Sequence, residues 1–165
     1  METSFIDTPG HEKYMSGRQL GIALGDIGVF CLAVEKVLAD DFAGATFEYS
    51  ELYSQYHPNG KLIYLLTMFD LVNYNEGDFH IACQKIKKYC RWIDSTHEEV
   101  VFGADLSYPT QEIDAAAIIP IAIEFKTLDK EGINIFTKSD KTPWYEGPTL
   151  LGAIRIQLNE LYSNE

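Results

Sequence analysis

Apolar positions fall into two kinds of block that alternate along the chain. Unbroken runs occur at Ile27 to Val34, Leu62 to Leu66 and Ile118 to Phe125. Runs of that length without polar alternation predict strands buried on both faces. Shorter β-prone stretches lie at Thr3 to Ile6, ending in the turn Asp7-Thr8-Pro9-Gly10, and at Glu99 to Phe102. Between them the pattern changes period. Glu12 to Leu24 predicts a helix stopped by Gly25, and Phe42 to Tyr56 predicts one closed by His57-Pro58-Asn59-Gly60. Asn75 to Asp78 opens the clearest helix, about Phe79 to Ile93, with Phe79, Ala82, Cys83, Ile86, Tyr89, Cys90 and Ile93 on one stripe. That is the spacing of an amphipathic helix. Pro148 to Leu161 repeats it, whereas Gly103 to Ile113 and Leu128 to Pro143 read as loop and turn.

Strands alternating with helices predict an α/β fold, a mostly parallel sheet flanked by helices through right-handed crossovers. No linker, repeat or low-complexity tract interrupts residues 1–165, so one domain is expected. A chain of 165 residues buries roughly 70% of its unfolded surface on folding. No apolar run approaches the roughly 20 residues of a membrane span, and no signal-peptide pattern opens the chain. A soluble, cytoplasmic protein is expected.

The formal net charge of −12 changes the range of partners. Nucleic acid is held mainly by neutralising phosphates with Lys and Arg, so direct binding to it is not expected. Lys85, Lys87, Lys88 and Arg91 form a short basic stripe, read more simply as a solvated helix face. The three cysteines, Cys31, Cys83 and Cys90, form no CxxC pair and are odd in number. That argues for a reducing compartment rather than a disulfide framework. His80, Cys83 and Cys90 share one helix face, but half-buried packing accounts for them without a metal.

In a parallel sheet, ligands sit beyond the carboxyl ends of the strands. Asp7-Thr8-Pro9-Gly10-His11 occupies such a place. There a carboxylate can hold magnesium through water, and a glycine lets a backbone N–H approach a terminal phosphate. A histidine just beyond can position an attacking water. An ordinary strand-to-helix turn explains the same residues.

Three longer blocks carry a resemblance. Phe5-Ile6-Asp7-Thr8-Pro9-Gly10-His11-Glu12-Lys13-Tyr14 resembles the third GTPase motif of the Tu/1-alpha class of elongation factors, and a similar run occurs in the GTPase subunit of bacterial sulfate adenylyltransferase. Phe69-Asp70-Leu71-Val72-Asn73-Tyr74, with Glu76 and Phe79, resembles the segment after that family's guanine-reading motif. Gly132-Ile133-Asn134-Ile135 and Lys138 to Leu151, including Trp144-Tyr145-Glu146-Gly147-Pro148-Thr149, resemble the exit from its GTPase domain. The resemblance implies a translational-type G domain over residues 1–165. It also implies GTP and magnesium as ligands, His11 as the catalytic residue, Asp7, Gly10 and Asp70 as nucleotide-binding residues, and Asp7 as the magnesium ligand through water.

The departures from the family pattern are equally specific. The family's first strand, its G-x-x-x-x-G-K-[ST] loop and its first helix have no counterpart before Asp7, and that loop motif occurs nowhere in the sequence. Where the family reads Asn-Lys-x-Asp, this chain has Thr67-Met68-Phe69-Asp70; where it has a serine-alanine pair, Ala122-Ile123 aligns. The expected fold is therefore a P-loop-GTPase-like sheet without its first strand. Either the remaining strands close up side by side, or a protein partner covers the vacant region, or the chain folds poorly. Three functional readings follow: a truncated, impaired translational GTPase; a non-enzymatic protein-interaction module; or one half of a split GTPase.

Overall fold

In a computed structural model of the chain, which describes residues 4–8, 14–57, 60, 62–94, 115–123 and 132–163, three apolar runs form one parallel sheet. β1 (Gly28–Ala33) pairs with β2 (Leu62–Thr67), with Gly28 opposite Leu62 and Ala33 opposite Thr67. β3 (Ala115–Pro120) pairs with the other side of β2, placing Tyr64 opposite Ile118. The order is β1-β2-β3.

The central strand has no polar face because both of its faces are covered. Leu62 through Leu66 are all buried, and successive side chains point to opposite sides. Leu62, Tyr64 and Leu66 enter one core with Val34, Val37, Phe42, Tyr53, Phe69 and Ile86. Ile63 and Leu65 enter the other with Ile119, Ile121, Tyr145 and Ala153. The first core is closed by α2 (Val34–Leu38), α3 (Ala43–Tyr56) and α4 (Glu76–Asp94), the second by α5 (Leu150–Tyr162). A Cβ at Gly28 would stand 2.5 Å from the Leu62 side chain and 2.9 Å from Tyr53. Only glycine therefore lets α3 approach β1 so closely.

Helix ends are fixed by side chains that satisfy otherwise orphaned N–H groups. The Asn75 side chain accepts from Asp78 N at 3.0 Å, so α4 begins a turn earlier than its apolar stripe. Thr149 Oγ1 accepts from Gly152 N at 3.1 Å; α5 accordingly starts after Thr149 rather than at Pro148. α1 (Met15–Leu24) ends at Gly25 as its sequence predicts. His57, at the end of α3, donates from Nε2 to the carbonyl of Ile22 at 2.9 Å and ties α3 to α1.

Four expectations are corrected. Residues 4–6 form no strand, so the sheet has not closed up by pairing them with β1. β1 is not buried on both faces, since Val29 and Cys31 are exposed on its outer side. Val34 leaves the strand to begin α2, where Val34 and Val37 are both buried. β3 starts earlier than Ile118 because Ala115 and Ala117 also pair with β2, with a register irregularity between them, and it ends at Pro120. Past Pro120, which has no N–H for the ladder, Ala122 makes an isolated antiparallel bridge to Ile133. The strand expected at 99–102 and the loop at 103–113 lie outside the described residues.

Candidate functional site

The carboxyl ends of β2 and β3 are bound together by main-chain hydrogen bonds. Ile121 N donates to Leu66 O at 2.8 Å, and Phe69 N donates to Ile121 O at 3.1 Å. After β2 the chain enters left-handed backbone at Met68 (φ 57°) and leaves a short 3-10 helix, Phe69–Val72, through Asn73 (φ 50°) and Tyr74 (φ 56°). Such conformations disfavour side-chain-bearing residues, and surrounding contacts hold them here. Phe69 is fully buried, and Tyr74 N donates back to Phe69 O at 3.2 Å. The turn thereby presents Asp70 to solvent, among exposed Met68 and Leu71, with exposed Ile123 just past β3.

A third loop closes on the same end of the sheet. Asn134, fully buried and at φ 56°, donates from Nδ2 to Pro120 O and to Thr142 Oγ1, each at 2.9 Å. Its Oδ1 accepts from Ser139 N at 3.1 Å. One side chain thus fixes the exit of β3 to two parts of the 132–145 loop. Asn134 lay within a block singled out by resemblance, but its buried polar role has no signal in hydropathy.

Asp7 is exposed and stands near Cys31 of β1. The Cys31 thiol keeps solvent contact, yet desolvation by its walls and then the Asp7 carboxylate push its pKa up. Gly10 and His11 lie outside the described residues. The structure therefore places Asp7 beside β1 and Asp70 just beyond β2. Among the described residues no group of three or more His, Cys, Asp and Glu side chains gathers to hold a metal. Magnesium at Asp7 would rest on one carboxylate, with water and nucleotide supplying the other ligands. These residues do not make a self-sufficient metal site.

The other polar features of the sequence have structural roles. Burial pushes the Cys83 thiol up to about 12, against a smaller opposing effect of Lys87, and burial also raises Tyr145. A thiol held protonated in this way is a poor nucleophile or ligand. His80 faces Glu76 at 3.6 Å on the exposed side of α4. The side chains of Cys90 and Arg91 lie outside the described residues. Lys85 donates to Leu38 O at 2.6 Å and to Asp40 Oδ2 at 2.7 Å, tying α4 to the end of α2. No described helix is long and apolar enough to cross a membrane.

No protein-family model matches the chain. Curated relatives do. Elongation factor 1-alpha of Thermococcus celer is 30% identical over 151 residues, covering 92% of this chain and 28% of the relative. The protein of the same name from Methanopyrus kandleri is 28% identical over 153 residues, covering 93% and 30%. That from Archaeoglobus fulgidus is 26% identical over 175 residues, covering 97% and 35%. These matches run over nearly the whole of this chain and support a translational GTPase domain similar to part of elongation factor 1-alpha. It spans about a third of the length of the curated relatives it matches. Two of the three sequence blocks that resemble this class, at 69–79 and 132–151, meet at the carboxyl end of the sheet through the contacts of Phe69, Asn134 and Trp144.

Proposed function

We propose that this chain is a translational-type GTPase domain whose guanine pocket has decayed, so that alone it holds GTP weakly or not at all. The observation that carries this reading is the Phe69 N–H to Ile121 O bond. It brings the exit of β2 beside the exit of β3, so Met68, Asp70 and Ile123 occupy positions that align with the family's base-reading groups. Of these, Asp70 alone keeps an acceptor for the guanine edge. Met68 stands in place of a lysine, Thr67 in place of an asparagine, and Ala122 in place of a serine. A site built to hydrogen-bond its ligand loses about 1–3 kcal/mol for each buried partner removed. Several such losses outweigh what one exposed carboxylate contributes. The implied setting is translation in the cytoplasm, with GTP and magnesium as the ancestral ligands and His11 as the inherited catalytic position.

The test is titration of the full chain with a fluorescent guanine nucleotide in the presence of magnesium. The expected result is no saturation below millimolar nucleotide. Micromolar binding that GTP displaces and ATP does not would overturn the reading. A second reading, a non-enzymatic interaction module or half of a split GTPase, is favoured by a separate observation, the open side of β1.

A further inference from the structure

The exit of β2 carries a carboxylate set among apolar side chains that water reaches. Met68 is 55% and Leu71 50% exposed, with exposed Asp70 between them. Ile123, two residues past the Ile121 carbonyl that Phe69 N meets at 3.1 Å, is 56% exposed. Three half-exposed apolar side chains in one place exceed the scattered single exposures of an ordinary surface. The turn is also pre-set. Leu71 N donates to Met68 O and Asn73 N to Asp70 O, each at 3.0 Å, between the left-handed residues Met68 and Asn73. A carboxylate on backbone fixed in this way needs little further ordering to bind.

Charge selects the partner. Lys36 pairs with Asp41 and Lys85 with Asp40, Lys138 donates to Glu146 O at 2.9 Å, and Lys141 lies over the Tyr74 ring at 5.1 Å. Among the described residues no cation forms an ion pair with Asp70. α2, which packs on this turn, adds exposed Glu35, and α4 opens just beyond it with Glu76 and Asp78. An anionic partner is repelled here and a cationic one attracted. Among cations, an ammonium is strongly hydrated and gains little from apolar neighbours. A guanidinium is planar and weakly hydrated, offers one carboxylate two parallel N–H donors, and leaves its faces for packing. The polarizable Met68 thioether is suited to such a face.

We propose that Met68 to Leu71, together with Ile123, is a docking face for an arginine carried by an apolar segment of another protein. The guanidinium pairs with Asp70 through two hydrogen bonds and packs on Met68 and Ile123, and an apolar neighbour in the segment covers Leu71. This deepens the interaction-module reading and rests on the turn being free of nucleotide.

The test uses the full chain, labelled with nitrogen-15, and the acetylated, amidated peptide Ala-Leu-Arg-Leu-Ala. Amide shifts of residues 68–73 and 123 should move together and saturate with a Kd on the order of a millimolar, as one ion pair and a small apolar area allow. Citrulline in place of the arginine keeps the shape and loses the charge, and it should weaken binding about fivefold; lysine should weaken it about twofold. Asp70→Asn and Met68→Lys, both at exposed positions, should each weaken the arginine peptide as much as citrulline does. Equal binding of the arginine and citrulline peptides, or an Asp70→Asn chain that binds like the parent, overturns the proposal. A chain that binds neither peptide nor GTP overturns it and leaves the nucleotide reading standing. A chain that binds the peptide and releases it to GTP supports the docking face and overturns the nucleotide reading. Shifts at the same amides when the peptide-free chain is concentrated, abolished by Arg155→Ala on exposed α5, would make a second copy the occupant and also overturn the proposal.

Discussion

The indole N–H of Trp144 donates to the main-chain carbonyl of Tyr74 at 3.1 Å, joining the turn after β2 to the loop before α5. Tyr74 holds a left-handed backbone at φ 56°. The Trp144 ring packs on Phe79 at 5.1 Å and on Phe69 at 6.0 Å between centroids, and Tyr145 meets Phe79 edge-on at 5.7 Å. The loops that shape the candidate site are thus held by an aromatic cluster of their own, set against the end of the sheet.

Replacing Trp144 separates the ring from the bond. Trp144→Phe keeps an aromatic in the cluster and leaves the Tyr74 carbonyl without its donor, for an expected loss of about 1 kcal/mol. Trp144→Ala also removes the packing, for an expected total of about 3 kcal/mol. Urea unfolding followed by far-ultraviolet circular dichroism gives both values. A Phe variant as stable as the parent would show that the hydrogen bond contributes nothing.

Asn134 should be the most sensitive polar position. Asn134→Ala strips partners from Pro120 O, Thr142 Oγ1 and Ser139 N, and it places a residue with no local polar group at φ 56°. Each buried group left unpaired costs about 1–3 kcal/mol, so a loss of at least 2 kcal/mol is expected. Asn134→Gly removes the same bonds but relieves the backbone and should recover part of the loss. Glycine and alanine variants with equal midpoints would assign the whole effect to the hydrogen bonds.

The sequence revealed the elements whose burial is complete and concealed those whose burial depends on a neighbour. Leu62 to Leu66 is apolar throughout because α-helical layers cover both sides of it, and hydropathy alone located that strand. Ile27 to Val34 reads the same way, yet Val29 and Cys31 lie open, since their cover depends on what stands beside β1. Residues 4–6 carry strand-forming side chains but have no strand partner among the described residues. Asp7 and Asp70 were legible as residues from resemblance, and their exposure was not. Met68 and Tyr74 gave no warning of left-handed backbone, because local turn bonds and the long-range bonds of Phe69 and Trp144 hold it rather than glycine; Asn73 is of a type that adopts it more readily.

Lys85 looked like part of a basic face, and the structure gives it a specific partner set. Its ammonium meets the last carbonyl of α2, Leu38 O, and the Asp40 carboxylate, a favourable arrangement at a helix C-terminus. Lys85→Met should lower stability by about 1 kcal/mol at low salt, and by less at high salt as the Asp40 pair is screened. Asp40→Asn should reproduce only the salt-dependent part. Urea midpoints at two salt concentrations test this. A Lys85→Met loss that does not change with salt would assign the role to the Leu38 carbonyl alone.

Alkaline pH should weaken the fold through Cys83. Its thiol, ordinarily near 9.0, is pushed up to about 12 in the folded chain, with desolvation as the leading cause. Between those values the folded state holds a proton that the unfolded state has released. Stability therefore falls as pH rises through that window. Burial raises Tyr145 as well, and the neighbouring Cys83 adds to that rise, so the two act in the same direction. Cys83→Ala removes the thiol's share and leaves a small cavity. It should be less stable than the parent at pH 7, and the gap between the two should narrow by pH 10.5. Urea midpoints of the two chains across that range provide the measurement. Parallel curves would mean that the Cys83 thiol ionises no later in the folded chain than in the unfolded one.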